Sequence, residues 1–337
     1  MAGSKAGDKA IRDVAEKLDI LGLNYAGSRY DKDVNQYPGR IMVGSETLIS
    51  ALPYNWERVK KHKAVIGDFA WTAWDYLGEA GIGDWTYFSD EGMLMAAGCG
   101  AIDLIGTPGA ESYFQQVVWG LREKPYIGVR PVNRCNEMPQ KSRWRFTDAI
   151  ASWSWEGYEG CKAEIEVYAD ADRIALYLNQ KKIGVKKIKN YRACFQTKYQ
   201  PGTLTAVALD EEGKEVSRKM LKTGGKTTKV TIRTDKNVLQ ANGQELCHIT
   251  IGLTDENGIV KPAKDVRVTV ETEGESAVLM GVGSARCKTD EMLNGNSHTT
   301  HYGRALAILR AGYQAGEVRV KIQTEEYGEA CTVIEVR

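Results

Sequence analysis

The stretch Arg40-Ile-Met-Val-Gly-Ser-Glu46-Thr47 sets a carboxylate at the end of a short apolar run. Ile41, Met42 and Val43 read as a strand buried on both faces, and Gly44-Ser45 lets the backbone open just where Glu46 appears. An ionisable side chain there stands at the carboxyl end of a strand. Parallel α/β architectures hold catalytic groups on that edge, because the loops leaving it vary while the strands stay rigid. Glu46 is therefore the candidate for carboxylate chemistry. Other reactive types are sparse. His298 and His301 are the only closely spaced histidines; they sit in a polar stretch with no third ligand nearby and read as surface residues, not metal ligands. The seven cysteines form no close pairs and their odd number leaves at least one thiol free, which argues against a disulfide framework or a zinc site. No cofactor and no metal are expected.

The elements that position Glu46 follow from periodicity. Residues Asp8 to Leu18 carry Ala10, Ile11, Val14, Ala15 and Leu18 on one face, with Asp8 as cap, and predict a helix. Ile20-Leu-Gly-Leu23 predicts a buried strand closed by Asn24-Tyr25, followed by a polar loop to the Pro38-Gly39 turn. After the Glu46 strand, Pro53 to His62 predicts a helix with Trp56 and Val59 inward and Lys60, Lys61 and His62 near its C-terminus, where cations suit the dipole. Val65 to Trp71 is a third strand, a loop rich in glycine and aromatic residues runs to about Asp90, and Tyr113 to Arg122 is a further helix. Such alternation demands parallel strands with right-handed crossovers. No glycine-rich phosphate fingerprint follows any strand, which disfavours a nucleotide-binding sheet. Three strands are also too few for a closed (β/α)8 barrel.

Beyond Pro125 the character changes. Glu164 to Tyr168, Ile174 to Leu178, Ala193 to Thr197 and Thr203 to Leu209 predict one group of short strands. Thr223-Gly-Gly-Lys226 reads as a connector. A second group comprises Val230 to Ile232, Leu246 to Leu253, Val266 to Val270, Ala277 to Met280, Ala305 to Leu309, Val318 to Ile322 and Cys331 to Ile334. Asp255-Glu-Asn-Gly258 is a hairpin turn within it. Each group has the size of an immunoglobulin-type sandwich.

Bulk properties agree with a multidomain globular chain. Its 337 residues exceed a usual single domain, and 42% apolar with 26% charged residues is ordinary for a folded protein. Forty-five basic against 44 acidic residues leave a net charge of +1 with no basic stripe, so nucleic acid is not an expected partner. No apolar stretch is long enough to span a bilayer, and Met1-Ala-Gly-Ser-Lys lacks the apolar core of a signal peptide. As written the chain is expected to stay where it is made; the localisation of any parent enzyme is open.

Taken together, Leu21-Gly-Leu-Asn-Tyr25, Val43-Gly-Ser-Glu46-Thr and Gly67-Asp-Phe-Ala-Trp71-Thr-Ala-Trp-Asp-Tyr-Leu-Gly-Glu79 resemble the last three strands of the catalytic barrel of family 2 glycoside hydrolases, in the beta-galactosidase-like branch. Gly100-Ala-Ile-Asp-Leu-Ile-Gly-Thr-Pro108 resembles that family's barrel exit. The resemblance implies a partial (β/α)8 TIM barrel over residues 1–125, a linker at 126–148, and immunoglobulin-like β-sandwiches at 149–223 and 226–337. It also implies a retaining, double-displacement hydrolysis of terminal beta-galactosides, with two carboxyl groups about 5 Å apart flanking the bond. Glu46 matches the nucleophile, Tyr25 a tyrosine that hydrogen-bonds it, and Trp71 the aromatic wall of the sugar pocket. Asp75 and Glu79 lie where their loop could reach sugar hydroxyls. Trp74, Tyr76, Trp85 and Tyr87 either line the pocket or pack against the following domain. A cis peptide bond at Trp71-Thr72, with the indole on the side of Glu46, is implied as well.

The family's acid/base residue belongs to an Asn-Glu pair ending the fourth barrel strand, and the only Asn-Glu here, Asn136-Glu137, follows no buried strand. The chain by itself is therefore expected to be inactive or slow. Three readings remain: an enzyme-derived chain, a carbohydrate- or protein-binding module with a barrel remnant, and a piece complemented by a separate N-terminal part. Strands apolar on both faces also imply self-association or local disorder in residues 1 to about 125, the sandwiches folding independently.

Overall fold

The computed structural model describes residues 13–337. Strands and helices alternate at first: β1 (Ile20–Asn24), α1 (Tyr30–Gln36), β2 (Ile41–Leu48), α2 (Leu52–Lys61) and β3 (Val65–Trp71). The three strands pair in parallel, in the order β1-β2-β3. Parallel neighbours need crossovers, and α1 and α2 supply them on one face. There Leu21, Leu23, Met42 and Val65 pack with Tyr30, Val34 and Val59. The opposite face is uncovered: Ile20 is 47%, Ile41 41%, Ile66 54% and Phe69 66% exposed.

Three expectations for this region need correction. The stretch read as a polar loop before Pro38 contains α1, which offers periodicity too few apolar residues because one inward position is Asp33, buried against Arg29 at 3.2 Å. The helix read over Asp8 to Leu18 lies partly outside the described residues; in the rest, Ala15 is buried but Val14 and Leu18 are exposed, so they do not share its inner face. The strand bearing Glu46 does not stop there but continues to Leu48, through an irregular register between Gly44 and Thr47.

The loop after β3 includes β4 (Trp85–Tyr87) and leads to α3 (Ala110–Val118), which begins and ends earlier than Tyr113 to Arg122. Next, β5 (Tyr126–Val129) falls in the stretch read as linker yet joins the first β-rich unit, while β6 (Pro139–Lys141) pairs antiparallel with β4. In that unit β7 (Lys162–Tyr168) lies between β5 and β10 (Arg192–Lys198). The facing sheet holds β8 (Arg173–Leu178), β9 (Lys181–Lys187), β11 (Thr203–Leu209) and β12 (Glu215–Lys222), in the order β12-β11-β8-β9. Trp153, Trp155, Ile165, Leu176 and Phe195 fill the core between them.

The second unit stacks β13 (Lys229–Thr234), β15 (Leu246–Thr254), β17 (Ala277–Gly283) and β19 (Arg304–Ala311) on a sheet of β14 (Val238–Leu239), β16 (Arg267–Glu273), β18 (Ser297–Thr299), β20 (Gly316–Thr324) and β21 (Gly328–Val336). Ile249, Ile251, Val268, Leu309 and Ile322 close this core. The turn expected at Asp255 is present: Gly258 takes φ 79°, and the Asp255 carboxylate accepts the amides of Asn257, Ile259 and, from the connector, Gly225. His298 and His301 are not surface residues. His298 is fully buried on β18, because alternation turns it inward between Ser297 and Thr299, and His301 faces an interior cavity. Among the described residues no cluster of three potential metal ligands exists. All seven cysteines are free, although the sequence-distant Cys135 and Cys161 thiols meet. No described helix is long and apolar enough to cross a membrane.

Candidate active site

Strand register decides where Glu46 points. Met42 and Gly44 face the helices and so does Thr47, which means that β2 gains one residue between Gly44 and Thr47. This bulge turns Ser45 and Glu46 together to the uncovered face. Only glycine fits at its start, since a Cβ on Gly44 would collide with the Asp68 carboxylate and the Tyr30 hydroxyl. Burial raises the pKa of Asp68, which the Asn55 and Thr47 side chains face.

Glu46 pairs with Asn24 across β1, and the Asn24 amide donates to its Oε2 at 3.2 Å. The Tyr25 amide donates to the Glu46 carbonyl at 2.7 Å. Tyr25 itself takes a left-handed backbone, φ 49°, rare for an aromatic residue and concentrated where surrounding structure imposes it. Its phenol faces the Glu46 carboxylate closely enough for the two to interact. Burial, and then the Glu46 carboxylate, push the phenol up to about 12, so it remains a donor.

Two residues missed in the sequence complete this arrangement. The Trp144 indole donates to the Tyr25 oxygen at 2.7 Å, and the rings meet edge to face at 6.3 Å. Trp144 is held in turn: its amide donates to Ser142 Oγ, and two residues on the Phe146 amide donates to Glu111 of α3 at 2.7 Å. Cys99, its thiol pushed up to about 11 chiefly by burial, lies beside the Trp71 side chain and also acts electrostatically on Tyr25. A tryptophan between two arginines in a stretch read as linker was the available signal for Trp144.

Trp71 pairs with Leu48, which alternation places on the face of Glu46, so the indole and the carboxylate share the uncovered face. The Trp71-Thr72 peptide bond is cis, as expected. Tyr76 stands edge-on to Trp71 at 6.0 Å and donates to Glu79, so Tyr76, Trp71 and Glu79 form one group. Asp75 is not brought to it: its carboxylate accepts the Gly98 amide at 2.9 Å and lines the interior cavity. Trp85 and Tyr87 form β4 and pack toward the first β-rich unit, where the Tyr87 hydroxyl donates to Asp148. Glu137 of the Asn-Glu pair is ion-paired with Arg134 at 3.0 Å.

Residues 230–332 match the family model described as glycoside hydrolase family 2 C-terminal domain 5. Residues 160–217 match a domain of unknown function, DUF4982. The crystal structure of a family 2 glycosyl hydrolase member from Bacteroides cellulosilyticus superposes with TM-score 0.87 at 30% identity, covering 100% of this chain.

The chain carries a C-terminal domain of glycoside hydrolase family 2.

It corresponds to a C-terminal portion of a family 2 chain. Its relatives include beta-galactosidase BoGH2A of Bacteroides ovatus, 25% identical over 280 residues, which span 81% of this chain and 28% of that protein. A beta-galactosidase of Thermoanaerobacter pseudethanolicus is 25% identical over 207 residues, or 55% of this chain and 25% of that one. The chain thus spans about a quarter of these two family 2 relatives, and 44% of the Bacteroides cellulosilyticus structure.

Proposed function

We propose that the chain supplies the nucleophile side of a retaining beta-galactosidase. The observation that carries this reading is the Glu46 carboxylate, held by Asn24 and faced by the Trp144-supported Tyr25 hydroxyl on the same sheet face as Trp71. On this reading β1, β2 and β3 are the last strands of a (β/α)8 barrel within residues 1–125, and their uncovered face is the barrel interior. The two β-rich units, 149–223 and 226–337, are immunoglobulin-like sandwiches that brace the site loop. Glu46 attacks the anomeric carbon while a second carboxyl, from barrel sequence outside this chain, protonates the departing oxygen; water then releases the sugar by the reverse path. The Tyr25 and Asn24 donors fix which carboxylate oxygen attacks, and the Trp71 indole packs on the apolar C–H face of the sugar ring. Glu79, through Tyr76, holds the rim of that pocket.

The test is complementation. The chain is combined with the N-terminal barrel portion of a family 2 relative, and turnover of an aryl beta-galactoside is followed. Activity is expected from the pair and not from either part, Glu46→Gln should abolish it, and a 2-fluoro galactoside should label Glu46. A label on another residue would remove Glu46 as nucleophile. Rapid turnover by the chain alone would remove the need for a second part.

A further inference from the structure

Behind the site loop lies a cavity of about 650 Å³, lined from within residues 75–109, from the 133–153 segment and from both β-rich units. Neither Glu46, Tyr25 nor Trp71 lines it. Its volume falls in the range of small-molecule sites, about 300–1,000 Å³, and its walls are unusually charged. Most of those charges are already matched. Asp90 pairs with Arg134 at 2.7 Å, Asp148 with Arg130 at 2.7 Å and Asp265 with Arg286 at 3.0 Å. Asp75 accepts the Gly98 amide, and Asp103 those of Ile105 and Thr107.

Two guanidiniums in the wall make no ion pair with the described residues, although the Asp103 carboxylate lies near enough to act on both. Arg304, reaching in from β19, forms no ion pair or side-chain hydrogen bond with the described residues; its electrostatic neighbours are Asp103, Tyr113 and Tyr126. Arg145 uses only Nε, on the Thr147 carbonyl at 3.0 Å, which leaves its outer nitrogens unengaged. A partly buried guanidinium with unengaged nitrogens can take a further acceptor, and its fork geometry suits an oxyanion. Two acceptor-capable atoms also lack protein partners: His301 Nδ1 and Asn133 Oδ1. Burial and then the arginines around it push His301 down to about 3, so the ring is neutral. Tyr113 and Tyr126, stacked with centroids 4.5 Å apart, form part of the wall.

We propose that this cavity binds a small hydroxylated carboxylate of the sugar-acid class, its oxyanion on Arg304 and Arg145 and its hydroxyls on His301 and Asn133. The site is separate from the Glu46 face, and the proposal does not rest on the enzymatic reading. D-galacturonate and D-galactose form a matched pair that differs at the carboxylate, and titration calorimetry on the full chain compares them with inorganic sulfate. Galacturonate should bind saturably and galactose at least about tenfold more weakly, since a charge-assisted bidentate contact is worth at least that factor. Arg304→Met should lose the difference, whereas Glu46→Gln and Trp71→Ala should leave it intact. Should Arg304→Met not fold, protection of Arg304 by galacturonate against phenylglyoxal in the unmodified chain gives the same answer. Equal binding of the two sugars, preference for sulfate, or loss on Trp71→Ala with retention on Arg304→Met would overturn the proposal.

Discussion

The Trp144 indole donates to the Tyr25 phenol at 2.7 Å across 119 positions of sequence, and the phenol in turn faces the Glu46 carboxylate. If Trp144 acts only through Tyr25, its removal matters only while Tyr25 is there. In the complemented enzyme Trp144→Phe should lower kcat/KM about fivefold, the worth of one hydrogen bond of about 1 kcal/mol. The Trp144→Phe, Tyr25→Phe double variant should be no worse than Tyr25→Phe alone. Additive losses would mean that Trp144 serves packing and not the phenol.

Gly44 is where β2 turns Glu46 to the uncovered face. Alanine there would press on Asp68 and Tyr30, two buried groups with little room to move. Gly44→Ala should destabilise by about 1–3 kcal/mol, as overpacking does. Gly39→Ala is the instructive control, because its added carbon meets no atom and it is strained only through φ 88°. Thermal unfolding in which Gly44→Ala matches the unmodified chain would remove the close-packing argument.

Glu111 gives a pH signature. It is buried on α3, and burial pushes its carboxyl from 4.5 up to about 7 despite the Arg145 charge and the Phe146 amide. The native state therefore holds a proton that the unfolded chain has released, and stability contributed by this group falls as pH rises from 4.5 to 7. The full cost is about 3 kcal/mol above that window. Glu111→Gln keeps the acceptor for Phe146, so it should match the unmodified chain near pH 4 and exceed it by up to that amount near pH 8. Denaturant titrations at the two pH values read this directly, and a gap that does not widen with pH would contradict it.

The uncovered sheet face predicts association. Phe69 at 66% and Ile66 at 54% exposure stand beside Ile20 and Ile41, an apolar row on a parallel sheet. Parallel sheets are normally covered on both faces. In sedimentation velocity the chain should self-associate, and Phe69→Lys with Ile66→Lys should shift it toward monomer and also weaken complementation. A chain monomeric at every concentration tried would show that this face tolerates water.

The contrast between what the sequence disclosed and what it hid is physical. β1, β2, β3, α2 and the buried strands of both β-rich units announce themselves because burial writes period into the chain. In the first unit β5 lay in the stretch read as linker, and β9 and β12, also missed, are the edges of one sheet, with lysine-rich solvent faces that blunt edge pairing and erase alternation. α1 hides for a related reason, since Asp33 turns inward where an apolar residue would signal a helix. At the site, Glu46, Tyr25 and Trp71 were legible as strand-end residues within family motifs. Trp144 was not, because a contact over so long a separation leaves no local trace. Asp75 was misdirected, since loop position alone cannot tell the pocket side from the cavity side.

The pairing of β4 with β6 binds the loop after β3 to the segment that carries Trp144, and the same loop meets the second β-rich unit where Met95 donates to the Cys287 carbonyl at 2.9 Å. This has a consequence for the order of assembly. Contacts of such long sequence separation form late, because the intervening chain must first be confined. During synthesis Glu46 and Tyr25 emerge well before residue 144, and residue 287 follows far behind. The carboxylate that marks the site therefore waits, on a nascent chain, for most of the polypeptide that will hold it.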